Sequence, residues 1–168
     1  FSIVWLLARS SAAAIEPPNH RLEISIVPEK LILGESTRAM VQVRVLNPEH
    51  QPVEISELRL VVSTGKLKRI RRVSRFTWEA KYVPPEEYYP QLALFAAVAD
   101  VSGGKVCGSK VLQLWGVGAA EVDVNPGSLV KMKIGNQIFG PVTADQSGKA
   151  KIPIKVPPGE RVGLIGKK

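Results

Sequence analysis

The chain has 168 residues, enough for one domain or two small ones, and its 45% hydrophobic fraction suits a folded core and excludes a disordered tail. It carries 23 Lys plus Arg against 15 Asp plus Glu, a net charge of +8. With 14 Gly and 13 Pro it favours turns over long helices, and its single cysteine, Cys107, excludes an intramolecular disulfide and any zinc site of two or more thiolates.

Residues 1–17 read as the remnant of a signal peptide or other N-terminal segment. Ile3-Val-Trp-Leu-Leu-Ala8 is apolar, and Ser10-Ser-Ala-Ala-Ala14 is a run of small residues, the order found at the end of a secretory signal. Cleavage after Ala12-Ala-Ala14 would leave Ile15 or Glu16 as the mature start. Arg9 opposes this, because a charge between the apolar region and the cleavage site is unusual; the alternative is a strand or short helix packed on the domain. Elsewhere no window approaches the roughly 20 apolar residues of a membrane span.

After Pro17-Pro18 the apolar residues recur with period two. Leu22, Ile24 and Ile26 form one such set, Ala39, Val41, Val43 and Val45 a second, Leu58, Leu60 and Val62 a third, and Phe76, Trp78, Ala80 and Tyr82 a fourth. Alternation sends successive side chains to opposite faces of a strand, so each set can cover one buried face. Leu92 to Ala99 is apolar on both faces, but Pro90 and the Ser102-Gly-Gly104 turn bound it to strand length and pair it with 106–115 as a hairpin. Strands are predicted near 22–27, 37–46, 52–55, 58–63, 75–82, 91–100 and 105–115. Seven strands in about 95 residues is the spacing of an immunoglobulin-like β-sandwich, here assigned to 18–116.

Gly116-Val-Gly118 reads as a linker, after which the pattern restarts in a second unit, 117–168. Strands are predicted at Glu121–Val124, Val130–Ile134, Ile138–Val142 and Ala150–Val156, with Pro153 marking an edge or an interruption. At about 50 residues this unit is small for a free-standing sandwich, so either it is truncated or its missing strands lie beyond Lys168. The fold class expected is therefore all-β, with tandem immunoglobulin-like sandwiches of which the second is small or truncated.

Glu35 to Val53, with its alternating valines running into Asn47-Pro-Glu-His-Gln-Pro-Val53, resembles the opening of bacterial immunoglobulin-like repeats of the invasin and intimin type. Leu60-Val-Val-Ser-Thr-Gly65 and Phe76 to Pro85, ending in a Tyr-x-Pro-Pro step, resemble later strands of the same repeats. The chain departs from that pattern at His50, where Gly is common, and in the basic stretch 66–75. The second unit is similar to bacterial immunoglobulin-like or carboxypeptidase-regulatory-like repeats through Val130 to Val142 and the following Ala144-Asp-Gln-Ser-Gly148. The resemblance implies a spacer or adhesive module of an exported protein, in the periplasm, on the outer-membrane surface or outside the cell.

Charge is the strongest local feature. Lys66, Lys68, Arg69, Arg71, Arg72 and Arg75 make six of the ten residues in 66–75 and account for most of the net +8. Leu67, Ile70 and Val73 recur every three residues, which fits a short amphipathic helix or a strand hairpin. Such a run suits an anionic partner: an acidic polysaccharide, a membrane surface or nucleic acid, the last least favoured for an exported protein. A solvated loop at one end of the sandwich is the plainer alternative. Tyr82, Tyr88 and Tyr89 cluster around Pro84, Pro85 and Pro90, and Tyr88 and Tyr89 are candidates for a loop contact with protein or carbohydrate.

Catalysis finds no support. His20 and His50 lie in separate loops, and no nucleophile elbow, P-loop, H-E-x-x-H helix or calcium-loop run of aspartates occurs. No cofactor, metal or catalytic residue is assigned, and the expected partners are a protein or a cell-surface polymer, bound by a non-enzymatic module. The oligomeric state is not specified by these features.

Overall fold

The computed structural model describes residues 19–160 together with Val162 and Gly163. The expected signal remnant at 1–17 lies outside the described residues. Among those described, every regular element is a strand. The strands are β1 (Arg21–Val27), β2 (Lys30–Ile32), β3 (Ala39–Leu46), β4 (Pro52–Val53), β5 (Glu57–Val62), β6 (Lys66–Ser74) and β7 (Thr77–Val83). They continue with β8 (Gln91–Val101), β9 (Gly104–Asp123), β10 (Leu129–Ile134), β11 (Gln137–Thr143), β12 (Lys149–Val156) and β13 (Val162–Gly163).

One sheet runs β1-β3-β7-β6, with the short β4 beside β3; another runs β12-β9-β8-β5, with β2 parallel to β9. Leaving the short β2 and β4 aside, the first seven long strands divide into first-second-fifth-fourth and third-sixth-seventh. That is the strand order of an immunoglobulin sandwich. The alternation in sequence becomes the core. Ile24, Val41, Val43 and Tyr82 from one sheet and Phe95, Leu112 and Leu114 from the other are all buried in one cluster. In β8 the odd positions Ala93, Phe95, Ala97 and Ala99 face this core, while Leu92 and Leu94 point to the outer face and are exposed.

The strands that follow β9 fold back on its end. Met132, Ile134 and Ile152 form a small separate cluster, with Val122, Phe139 and Val142 packed around it. β10 and β11 pair as a hairpin with β13 on the other side, and β12 pairs with β9 from Gly116 to Asp123. Pro153 sits opposite Ala119 without breaking this ladder, in a strand that ends its sheet order.

Gly116–Gly118, read from sequence as a linker, is the middle of β9. Gly116 marks a close approach. A Cβ on Gly116 would lie 2.6 Å from Pro90 Cδ and 2.7 Å from the Tyr88 carbonyl oxygen. The Val117 N–H donates to that same carbonyl at 3.2 Å.

Candidate functional site

The basic stretch 66–75 forms β6 and the turn into β7, an edge position in the first sheet. It is a strand hairpin, and the helix alternative does not form. The register explains why the three-residue spacing of Leu67, Ile70 and Val73 misleads. Lys66, Leu67 and Lys68 pair with Val83, Tyr82 and Lys81, then the ladder shifts by one residue before Arg71 pairs with Glu79. A second shift falls between Arg72 and Ser74. Two bulges therefore interrupt the alternation, with Arg69 at the first in a left-handed conformation (φ 54°). Bulges and positive charge on an edge also protect it from pairing with another chain.

The six basic side chains are all exposed but are not equivalent. Arg71 Nη2 lies 3.6 Å from Glu79, whose other oxygen accepts from Gln42 Nε2 at 3.0 Å. Arg72 Nη2 donates to Glu54 at 2.6 Å. Arg75 lies in the turn with its guanidinium 5.7 Å from the centre of the Phe76 ring. Lys66, Lys68 and Arg69 make no ion pair among the described residues.

Two cations missed in the sequence join the unpaired set. Lys81, on β7, stands directly opposite Lys68, and Arg38 lies just before β3. Arg38, Arg69, Arg71, Glu79 and Lys81 line a cleft of about 510 Å³ on the outer face of the sheet, together with Val27, Pro28 and Met40. Lys81 alternates outward within Phe76–Val83, but only the β6–β7 register reveals its neighbour.

The tyrosines separate. Tyr82 is buried in the core, where its hydroxyl donates to the Thr64 carbonyl at 3.1 Å. Burial pushes its pKa up to about 12. Tyr88 and Tyr89 lie in the β7–β8 loop with about 60% of each exposed. The Tyr88 ring covers Gly34, whose Cβ-free, left-handed backbone (φ 83°) leaves room for it. Cys107 is an exposed residue of β9 opposite Val98, and no group of three or more potential metal-ligating side chains occurs among the described residues.

No family model matches the chain, and no curated protein matches it. Among solved structures it is similar to the Yersinia pseudotuberculosis adhesin InvE, with a TM-score of 0.44 and 10% identity. The match covers 79% of this chain and 50% of that one, so the chain spans about half the length of the adhesin structure.

Proposed function

We propose that the chain is a non-enzymatic immunoglobulin-like module of an exported bacterial protein, acting as a spacer that presents surfaces to a protein or a cell-surface polymer. The observation that carries this reading is β9. Its 20 residues serve the sandwich core at one end and the second unit at the other. At about 3.3 Å per residue such a strand is about 65 Å long. A strand shared by two hydrophobic clusters fixes their spacing and transmits load along its axis, which a flexible linker does not. Lys155 of β12 also reaches Glu35, in the loop after β2, at 2.8 Å.

The resemblance of residues 35–85 to invasin-type repeats supports an adhesive setting, and the pattern of residues 1–14 supports export to the periplasm, the outer-membrane surface or the exterior. The outer face of the second sheet leaves Val61, Leu92, Leu94 and Val111 exposed, an apolar surface suited to protein contact. Amide exchange on the full chain tests the spacer. Slow exchange should be seen at the ladder-bonded amides of β9 on both sides of 116–118 and at Val117, whose N–H donates to the Tyr88 carbonyl. Fast exchange confined to 116–118 would restore the hinge and remove the spacer reading. Fractionation of cells that make the protein tests export, which fails if the chain is found in the cytosol with Phe1 retained.

A further inference from the structure

We propose that the outer face of the first sheet is a binding cleft for a linear acidic polysaccharide. Arg38, Arg69 and Lys81 line it, with Lys68 paired directly beside Lys81 on the same sheet, so it is not built by the 66–75 run as a whole. This goes beyond the spacer reading and stands independently of it.

Register is the first argument. Lys68, Lys81, Met40 and Val27 sit opposite one another across β6, β7, β3 and β1, forming one row over the sheet. The row begins with two lysines in direct opposition, an arrangement that destabilises a sheet. Arg69, beside them, holds a left-handed backbone that a β-carbon disfavours. Edge protection accounts for charge and a bulge on β6 but not for a second lysine set against the first on the interior strand β7, and local rules are broken in this way mainly where a site needs it.

Charge is the second argument. Glu79 is the single carboxylate among the residues lining the cleft, and Gln42 and Arg71 already engage it. Arg38, Lys68, Arg69 and Lys81 have no ion-pair partner among the described residues, so the field of the cleft is left uncompensated and attracts an anion.

Shape selects among anions. Val27 (68% exposed) and Met40 (45%) provide an apolar floor beside the cations. A sugar ring carrying carboxylate or sulfate groups offers both an apolar C–H face and a charge. No aromatic ring lines the cleft, so the stacking platform of a single-stranded nucleic acid is missing. A recess admits a chain, whereas a bilayer would meet only its rim.

Heparin is the probe, used with the full 168-residue chain. The protein should bind heparin at low ionic strength and release it as salt screens the contacts. Lys68→Gln/Lys81→Gln should weaken binding about tenfold, and Arg38→Gln about fivefold, whereas Arg75→Gln should change it less than about twofold. The double variant should melt no lower than the parent, because it relieves the lysine opposition; if it melts lower, Arg38→Gln decides. The proposal is overturned if the parent does not bind heparin, or if Arg75→Gln costs as much as the cleft variants. It is also overturned if vesicles rich in phosphatidylglycerol, or a single-stranded oligonucleotide, bind more tightly than heparin with the same dependence on Lys68 and Lys81.

Discussion

Tyr82 on β7 meets Phe95 on β8 edge to face, with ring centroids 5.0 Å apart and ring planes at 73°. The pair joins the two sheets at the middle of the sandwich, and both residues are fully buried. Tyr82 is the more constrained partner, because its hydroxyl must find an acceptor inside the core and finds the Thr64 carbonyl. Gly65 makes room for this. A Cβ there would lie 2.6 Å from the Tyr82 ring, and the backbone is left-handed (φ 75°).

The buried phenol makes stability fall at high pH. Tyr82 ionises at about 12 in the folded protein against 10.0 for the unperturbed group, so the folded-state value is raised. The stability that comes from the neutral phenol is complete below the unfolded value and is lost as pH rises from one value to the other. The loss should approach about 1.4 kcal/mol per pH unit in that window. Tyr82→Phe should cost about 1 kcal/mol near neutrality and remove this part of the slope. Urea unfolding of both proteins at about pH 8 and about pH 11.5 checks it; parallel losses would exclude Tyr82 as the source.

His50 should accept glycine without loss. Its φ of 61° is the left-handed region, in a turn where its N–H donates to the Asn47 carbonyl at 2.9 Å. That conformation costs an L-residue about 1–2 kcal/mol, while glycine adds about 0.5–1 kcal/mol of backbone entropy to be lost on folding. His50→Gly should therefore be neutral or stabilising by up to about 1 kcal/mol, and His50→Val destabilising, as read from denaturation midpoints.

The two glycines at the centre of β9 should respond differently to alanine. Gly116 has Pro90 and the Tyr88 carbonyl against it, so Gly116→Ala should cost about 1–3 kcal/mol and loosen the β7–β8 loop. At Gly118 the nearest atom, Ile154 Cγ1, lies 4.0 Å from where a Cβ would be, and alanine should fit there. Urea midpoints for the two variants separate a packed strand from a linker, in which both changes would be harmless.

Asp145 should report on the second unit at low pH. Its Oδ1 accepts from Ser147 Oγ at 2.7 Å, Ser147 N at 2.8 Å and Lys149 N at 2.9 Å. The Ser147 hydroxyl first, and then the Lys149 amide, hold its pKa below the usual 3.8. The contribution of the ionised form is present above the unfolded value and is lost as pH falls through the lowered folded value. Acid should therefore loosen the Asp145–Lys149 turn in the parent, while Asp145→Ala should show a loosened turn already at neutral pH. Amide exchange in β12 is the measurement.

Much of the sandwich was legible in the chain, because burial on one face of a strand writes itself as a period of two. The same physics makes the resemblance readable at two points. The position where the repeats it resembles favour Gly is the left-handed His50, and Ala144-Asp-Gln-Ser-Gly148 is a turn whose carboxylate caps its own backbone while Gly148 supplies a left-handed φ of 80°. The candidate site was only half legible. A count of bases finds 66–75, but it cannot see that Arg71 and Arg72 are held by Glu79 and Glu54, residues distant in sequence.

What the sequence determined by itself was local: which residues alternate, where turns interrupt them, and where charge accumulates. Those properties depend on neighbours along the chain. The tertiary structure decided the register of β6 on β7, which sets Lys68 against Lys81, and the docking of Tyr88 and Pro90 on Gly116, where an expected linker is the interior of a strand. Both are contacts between distant segments. A glycine that permits flexibility and a glycine that permits close approach are the same letter until its neighbour in space is known.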